Sequence, residues 1–371
     1  MDKRDIVQIL AKDSLLTEDE TKRSFEILNS QSEESSPWFV QLLTGAGAWL
    51  AAVMFAIFFG FTGIIKDETG AIIVGFILVA IAFLISVRSK QAIPVFPDQL
   101  LLATSLTGHV LLMVGFYSEF NDQHYIAAVV IVLLSLCFIL FYKNQLHKFI
   151  STWLLLAGLW VLAAELGIQP LAFMALLVIV VAALSAWMWM NESHYLSGRW
   201  KNIGRPVQYA FVFALLSGEG IIERFYSIFW YSRDWNQHGE ILTSFPYTRV
   251  VSAGLFLVLA YVIILIMNRL KIDWKSLTGA GFLIFALIIT IVFYQSPSIM
   301  AALIVLLIGI ERANRILVPL AIMALVYFYG DYYYSIDMTL MKKSLILMSS
   351  GLIMLAGGWL VRRVGQVGER S

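Results

Sequence analysis

The strongest constraint on this chain is that it holds more long apolar runs than any soluble core can absorb. Residues 70–87 carry no charge and consist almost wholly of Ala, Ile, Leu, Val, Phe and Gly. A helix needs about 20 apolar residues to cross the hydrocarbon core of a bilayer. Twelve runs are candidates: 38–65, 70–87, 98–118, 124–142, 148–166, 168–189, 206–226, 248–268, 276–294, 297–311, 315–332 and 341–361. The seventh is interrupted by charges, and the tenth is short. Of 371 residues, 60% are hydrophobic and 14% are charged, against about 45–50% and about 25% in soluble domains. A soluble globule of this size has no interior large enough to hide that surface. A single cysteine, Cys137, excludes a disulfide framework, and a net charge of +1 gives nucleic acid no electrostatic reason to bind. The fold class is all-α, a polytopic integral membrane protein with about 12 transmembrane helices.

Lys and Arg in the loops set the orientation. Counted on alternate sides of twelve spans, 20 of the 26 basic residues fall on the side of the termini and six on the other. This places both termini in the cytoplasm. The first apolar run starts near Pro37, too late and too long for a cleavable signal peptide. Before it, Ile6, Ile9 and Leu10 stand at helical spacing, Thr17 and Glu20 fit a capping box, and Phe25, Ile27 and Leu28 continue a second short helix. Residues 1–36 therefore read as a cytoplasmic helical hairpin and linker, either a docking element or an amphipathic pair lying on the membrane surface.

Ser105-Leu-Thr-Gly108 recurs as Ser276-Leu-Thr-Gly279, an offset of 171. Asn144 and Asn314, in the inner loops that follow, are offset by 170. These anchors suggest a parallel six-plus-six repeat, the kind of architecture that places sites between two halves near mid-membrane. The corresponding segments are 37–200 and 201–363, with 364–371 as a cytoplasmic tail. Chance recurrence in a small apolar alphabet is the other explanation.

Ionisable groups inside the bilayer are costly and point to function. Glu219, in Ser217-Gly-Glu-Gly220, lies 13 residues past Pro206, with Glu223 and Arg224 just beyond. Either a broken helix places Glu219 in a substrate, ion or proton path, or the span ends at Ser217 and these charges belong to the outer loop. His109 lies near the middle of the third run. It suits proton exchange, or a structural hydrogen bond to a neighbouring carbonyl or hydroxyl. These four are the candidate pathway or binding residues.

The outer loop 221–247 is dense in aromatics, including Trp230 and Tyr231. It reads as an interfacial segment or as an aromatic mouth for a sugar or lipid headgroup. No zinc-protease, nucleophile-elbow, phosphate-loop or dinucleotide fingerprint occurs, and the five histidines lack metal spacing. No catalytic residue, metal site or cofactor is expected.

Several C-terminal motifs are distinctive. Residues 297–304 read Pro-Ser-Ile-Met-Ala-Ala-Leu-Ile, and 309–315 read Gly-Ile-Glu-Arg-Ala-Asn-Arg. Tyr327-Phe-Tyr-Gly-Asp-Tyr-Tyr-Tyr-Ser-Ile-Asp-Met-Thr-Leu340 follows, then Lys342-Lys-Ser-Leu-Ile-Leu-Met-Ser-Ser-Gly351 and Gly357-Gly-Trp-Leu-Val-Arg-Arg363. Together they resemble the bacterial multi-pass family called domain of unknown function 4401. The N-terminal part is similar to the membrane domain that often accompanies it. The resemblance implies a bacterial inner-membrane protein acting beside a membrane-anchored periplasmic partner. It carries over no activity and no site residue. Asp331 to Asp337 reads as an outer turn, with Lys342 and Lys343 opening the last helix from outside. These four, with Trp230 and Tyr231, are candidate contacts for a partner loop or a lipid headgroup.

Three functions fit: a permease-like protein moving a small or lipid-linked solute, a non-transporting scaffold docking a periplasmic or membrane-anchored partner, and a membrane enzyme acting on lipid-linked material.

Overall fold

A computed structural model describes residues 67–89, 93–120, 125–192, 200–217, 246–273 and 276–335, with single helical positions at 21, 24, 43, 46, 47, 50, 54, 57, 341, 344, 348, 349, 351, 352 and 355. Among these residues there are ten helices and no strand. They are α1 Glu68–Arg88, α2 Val95–Glu119, α3 Tyr125–Phe141, α4 Gln145–Glu165, α5 Pro170–Met190, α6 Lys201–Leu216, α7 Tyr247–Arg269, α8 Leu277–Val292, α9 Pro297–Glu311 and α10 Leu317–Ser335. The expected run 297–311 coincides with α9, and most of the others agree at their ends to within about three residues. α6 begins five residues before Pro206, where the seventh run was placed. The first and last runs, like the hairpin within 1–36, lie outside the described residues apart from the single positions above.

Five helices, α1, α2, α4, α5 and α7, are long and apolar enough to cross a membrane. In none of their apolar windows is more than 44% of the residues buried, so much of each span presents its side chains outward. On α1 that outer surface is Ile73, Phe76, Ile77, Ile81, Leu84 and Ile85. An apolar face of this extent is a liability in water and a requirement in lipid.

Contacts divide the chain into two units, Met1–Glu119 and Phe120–Ser371. The described part of the first is an antiparallel hairpin of α1 and α2. Asp67 caps α1 by accepting from the Gly70 amide at 3.0 Å, and Thr69 Oγ1 donates to Glu119 Oε2 at 3.3 Å across the same end. Glycine lets the two backbones meet. A Cβ on Gly75 would stand 3.0 Å from the Gly108 carbonyl, and a Cβ on Gly108 would stand 2.9 Å from the Gly75 carbonyl. Gly115, seven residues on, meets the backbone of Ile72 in the same way. Lipid supplies no hydrophobic drive between helices, so this close approach and its dispersion contacts hold the pair.

In the second unit, α3 pairs with α4 and α9 with α10, while α6 bridges α4, α5 and α9 and α7 packs on α5, α8 and α9. α9 is central, with Ile299, Met300, Ala301, Ala302, Ile304, Val305 and Ile308 all buried. A helix apolar all round is one enclosed by other helices. The ends are closed by specific caps. Asn144 opens α4 by accepting from the His147 amide, and Asn314 Oδ1 accepts from the amides of Ile316 and Leu317 where α10 begins. α4, α7 and α9 finish on Schellman turns with Gly167, Lys271 and Ala313 at positive φ.

The glycine contacts yield a contrast. Gly108→Ala forces apart two backbones already in contact and is expected to cost about 1–3 kcal/mol. Gly330→Ala, on α10 with nothing within 4 Å, is expected to be neutral or mildly stabilising. Thermal unfolding in detergent, compared between the two variants, checks the pair.

Candidate functional site

The polar chemistry of the second unit gathers at one end, where the loops after α3, α5, α7 and α9 meet. It begins with a helix terminus. The last four carbonyls of α5 have no partner within the helix. Trp187 O accepts from the backbone and side-chain amides of Asn191. Met188 O accepts from Gln208 Nε2 at 3.1 Å, and Met190 O accepts from both Arg269 Nη2 and Arg312 Nη2. Side chains from α6, the end of α7 and the end of α9 thus converge on the negative end of one helix dipole. Arg269 also holds Glu311 at 3.0 Å. Burial, with the Arg269 guanidinium beside it, presses Arg312 below the ordinary arginine range, while Glu192 and Glu311 act in the opposite sense.

A second carbonyl is orphaned by sequence. Pro206 lies inside α6 and has no N–H, so the carbonyl of Asn202 four residues earlier loses its helical donor. Lys148 Nζ supplies one at 2.9 Å. Lys148 is itself buried on α4, beside a buried His147 whose Nδ1 lies 2.9 Å from Ser151 Oγ and whose ring stacks on Phe138 at 4.3 Å. Trp153 Nε1 adds a second tie from α4 to α6 through the Ala210 carbonyl at 3.2 Å.

Between α5 and α6 runs a polar stripe. Ser185 and Trp189, one turn apart on α5, are fully buried, as is Gln208 on α6. Trp189 meets the Tyr209 ring edge to face at 5.2 Å, and Asn314 Nδ2 donates to Tyr209 Oη at 3.2 Å. The stripe therefore runs from the loop before α10 into the core of the unit. Sequence reasoning did not select Ser185, Trp189, Gln208, Lys148, Arg269 or Arg312. The available signals were Pro206 followed by Gln208 in an apolar run, and lysine and arginine at helix ends that face orphaned carbonyls.

Of the residues expected to carry function, His109 and Asp331 are described. His109 is buried in the middle of α2, with Nδ1 2.8 Å from the Ser105 carbonyl. A carbonyl only accepts, so Nδ1 carries the hydrogen and the ring is held along its own helix. The neighbouring Gly108 is in backbone contact with α1, which fixes the ring at the tightest point of the hairpin. Asp331 lies exposed on α10, which continues to Ser335. It therefore sits on a helix, and the expected outer turn from 331 to 337 begins no earlier than 336. Glu219, Glu223, Arg224, Trp230, Tyr231, Asp337, Lys342 and Lys343 lie outside the described residues. His109 belongs to the first unit and Asp331 to the second. Among the described residues, no group of three His, Cys, Asp or Glu side chains could hold a metal ion.

The profile of the family described as Domain of unknown function (DUF4401) matches residues 37–364. The chain belongs to this family. No curated protein and no solved structure matches it. Family membership and the apolar helices together support a membrane protein, and in this DUF4401 chain the richest described polar cluster is the α5 terminus.

Arg269→Met or Arg312→Met alone leaves the Met190 carbonyl with one donor, whereas the double replacement leaves none. The double variant is expected to lose about 1–3 kcal/mol beyond the sum of the single losses. A double-mutant cycle on detergent unfolding midpoints checks this.

Proposed function

We propose that this chain is a permease-like bacterial inner-membrane protein. It has twelve spans in two parallel six-helix halves, residues 37–200 and 201–363, with both termini cytoplasmic. One observation carries the reading. Within the second unit, Lys148, Ser185, Trp189 and Gln208 are buried along the seam where α4 and α5 meet α6, and this is the seam at which the proposed halves would move. A solute path between repeats is lined in this way. The repeat draws support from helix spacing. Moved forward by 170 residues, α3 and α4 fall on 295–311 and 315–335, against α9 at 297–311 and α10 at 317–335. Asn144 and Asn314 then perform one task at matched positions, each capping the start of the helix that follows. The other anchors differ in setting. Ser105 lies mid-helix, ten residues after α2 begins, whereas Ser276 is the N-cap of α8. In the proposed duplication the second half has no helical counterpart of 95–105, somewhat under half of that span.

Charge supports the orientation. At the end of the second unit that holds the α5 terminus stand Lys143, Lys148, Arg205, Arg269, Lys271, Arg312 and Arg315, against Glu192, Asp273 and Glu311. The opposite end carries Glu165, Asp331 and Arg249. An excess of lysine and arginine belongs on the cytoplasmic side. In this reading α6 leads, just past its last described residue, into the Glu219 segment, and Glu219 and His109 are the pathway residues, with Glu223 and Arg224 at the outer mouth.

A second reading keeps the same architecture as a scaffold for a membrane-anchored periplasmic partner. It rests on the outer part of α10, where Tyr327, Asp331 and Tyr334 are exposed. Trp230, Tyr231, Asp337, Lys342 and Lys343 would complete that surface.

The test uses single cysteines at 219, 109 and 230 in a Cys137→Ser background, probed from outside with a small impermeant thiol reagent. Transport predicts that 219 reacts and that an added solute pool protects it. Labelling at 230 alone, with 219 and 109 inert, overturns the permease reading and favours the scaffold.

A further inference from the structure

Several buried or half-buried threonine hydroxyls find an acceptor on their own helix. Thr107 donates to the Ala103 carbonyl, Thr152 to Lys148 and Thr290 to Ala286, all at 2.8–2.9 Å. Ser185 does not. Its Oγ, the Trp189 Nε1 and the Gln208 Oε1 are buried and meet no hydrogen-bond partner among the described residues. Three such atoms in a membrane core are expensive, because each forfeits the full cost of leaving water.

Their placement is shared. Ser185 and Trp189 are one turn apart on the same face of α5. The Gln208 amide is pinned by its nitrogen to the Met188 carbonyl, next to Trp189, which leaves its oxygen free to accept. All three residues therefore lie along the last turn and a half of α5 or on the α6 segment that packs against it. Ser185 lies about 7–8 Å from the end of that helix. The stripe through Tyr209 to Asn314 connects this place to the loop end of the unit.

The geometry points to a binding site at the α5–α6 seam for one small uncharged group that both donates and accepts, a hydroxyl, a carboxamide or water. Two donors, Ser185 O–H and Trp189 N–H, face a ligand acceptor, and one acceptor, Gln208 Oε1, faces a ligand donor. A metal cation meets two N–H or O–H dipoles pointing the wrong way. An anion meets the amide oxygen and no cation among the three. A small guest with two to four polar partners is what stabilises buried polar atoms of this kind. The inference rests on the permease reading in one respect, since it names the class of solute that the seam accepts.

The test is alkylation of Ser185→Cys by N-ethylmaleimide in membranes, with Ala182→Cys on the same helix as a control, both in Cys137→Ser. Maleimide reacts with the thiolate, which forms only where water or a polar guest reaches the sulfur. Ser185→Cys is expected to react about tenfold faster than Ala182→Cys, the effect of roughly one unit in thiol pKa. Slowing by glycerol but not by sucrose of equal osmolarity assigns the site to a small polyol-like solute, and no slowing by either assigns it to water. Both outcomes uphold the site. Equal inertness of the two cysteines overturns it. Should Ser185→Cys fail to accumulate, Ser185→Ala and Gln208→Leu give a second reading. A filled site predicts that both lower the melting temperature, and an unchanged or raised value overturns the inference. The two proposals separate cleanly. Reaction at 219 with an inert 185 leaves the permease and removes this site, whereas reaction at 185 with 219 and 109 inert keeps the site and removes the permease.

Discussion

A helix that ends inside a bundle leaves carbonyls pointing along its axis, and where water is scarce those carbonyls must be met by protein. At the C-terminus of α5 they are met by Gln208, Arg269 and Arg312, three side chains separated by as much as a hundred residues in sequence. The second unit is arranged around this requirement. It brings α6, α7 and α9 to one place and so determines which helices neighbour α5. The guanidiniums suit the task because they remain charged under any physiological condition and offer several donors in a fixed plane.

The same residues serve two purposes that are usually considered apart. Lysine and arginine at the loop ends bias the topology of a membrane chain, and here several also hydrogen-bond backbone that no other group reaches. The first unit meets its packing requirement by other means. Its two described helices approach until their glycines meet the facing backbone. The first unit's hairpin relies on close packing along its length, and the second adds polar ties at one end to a buried apolar core.

How much of this was legible in sequence depends on the kind of signal. Helix positions were readable because a run of twenty apolar residues has few alternatives, and α9 follows its expected bounds at both ends. Asn144 and Asn314 were noticed as recurring loop residues, although their role as helix caps needed coordinates. The α5 terminus was not legible. Nothing in Met190 announces an orphaned carbonyl, and nothing in Arg269 or Arg312 distinguishes a cap from an ordinary loop charge. Ser185, Trp189 and Gln208 are unremarkable in sequence because their meaning lies in which partners they lack. His109 was visible as a polar residue in an apolar run, and its bond to Ser105 is the local, same-helix kind that sequence spacing does suggest.

Lys148 and Pro206 carry a consequence for biogenesis. The ammonium that sits buried on α4 is matched to a carbonyl left without its helical donor by a proline 58 residues later in the chain. A chain inserted from its N-terminus exposes Lys148 to the bilayer before that partner has been made. An unpaired ammonium favours the headgroup zone, and the Asn202 carbonyl becomes available to it only with α6. Seating the lysine on the carbonyl freed by Pro206 ties α4 to a helix made later in the chain.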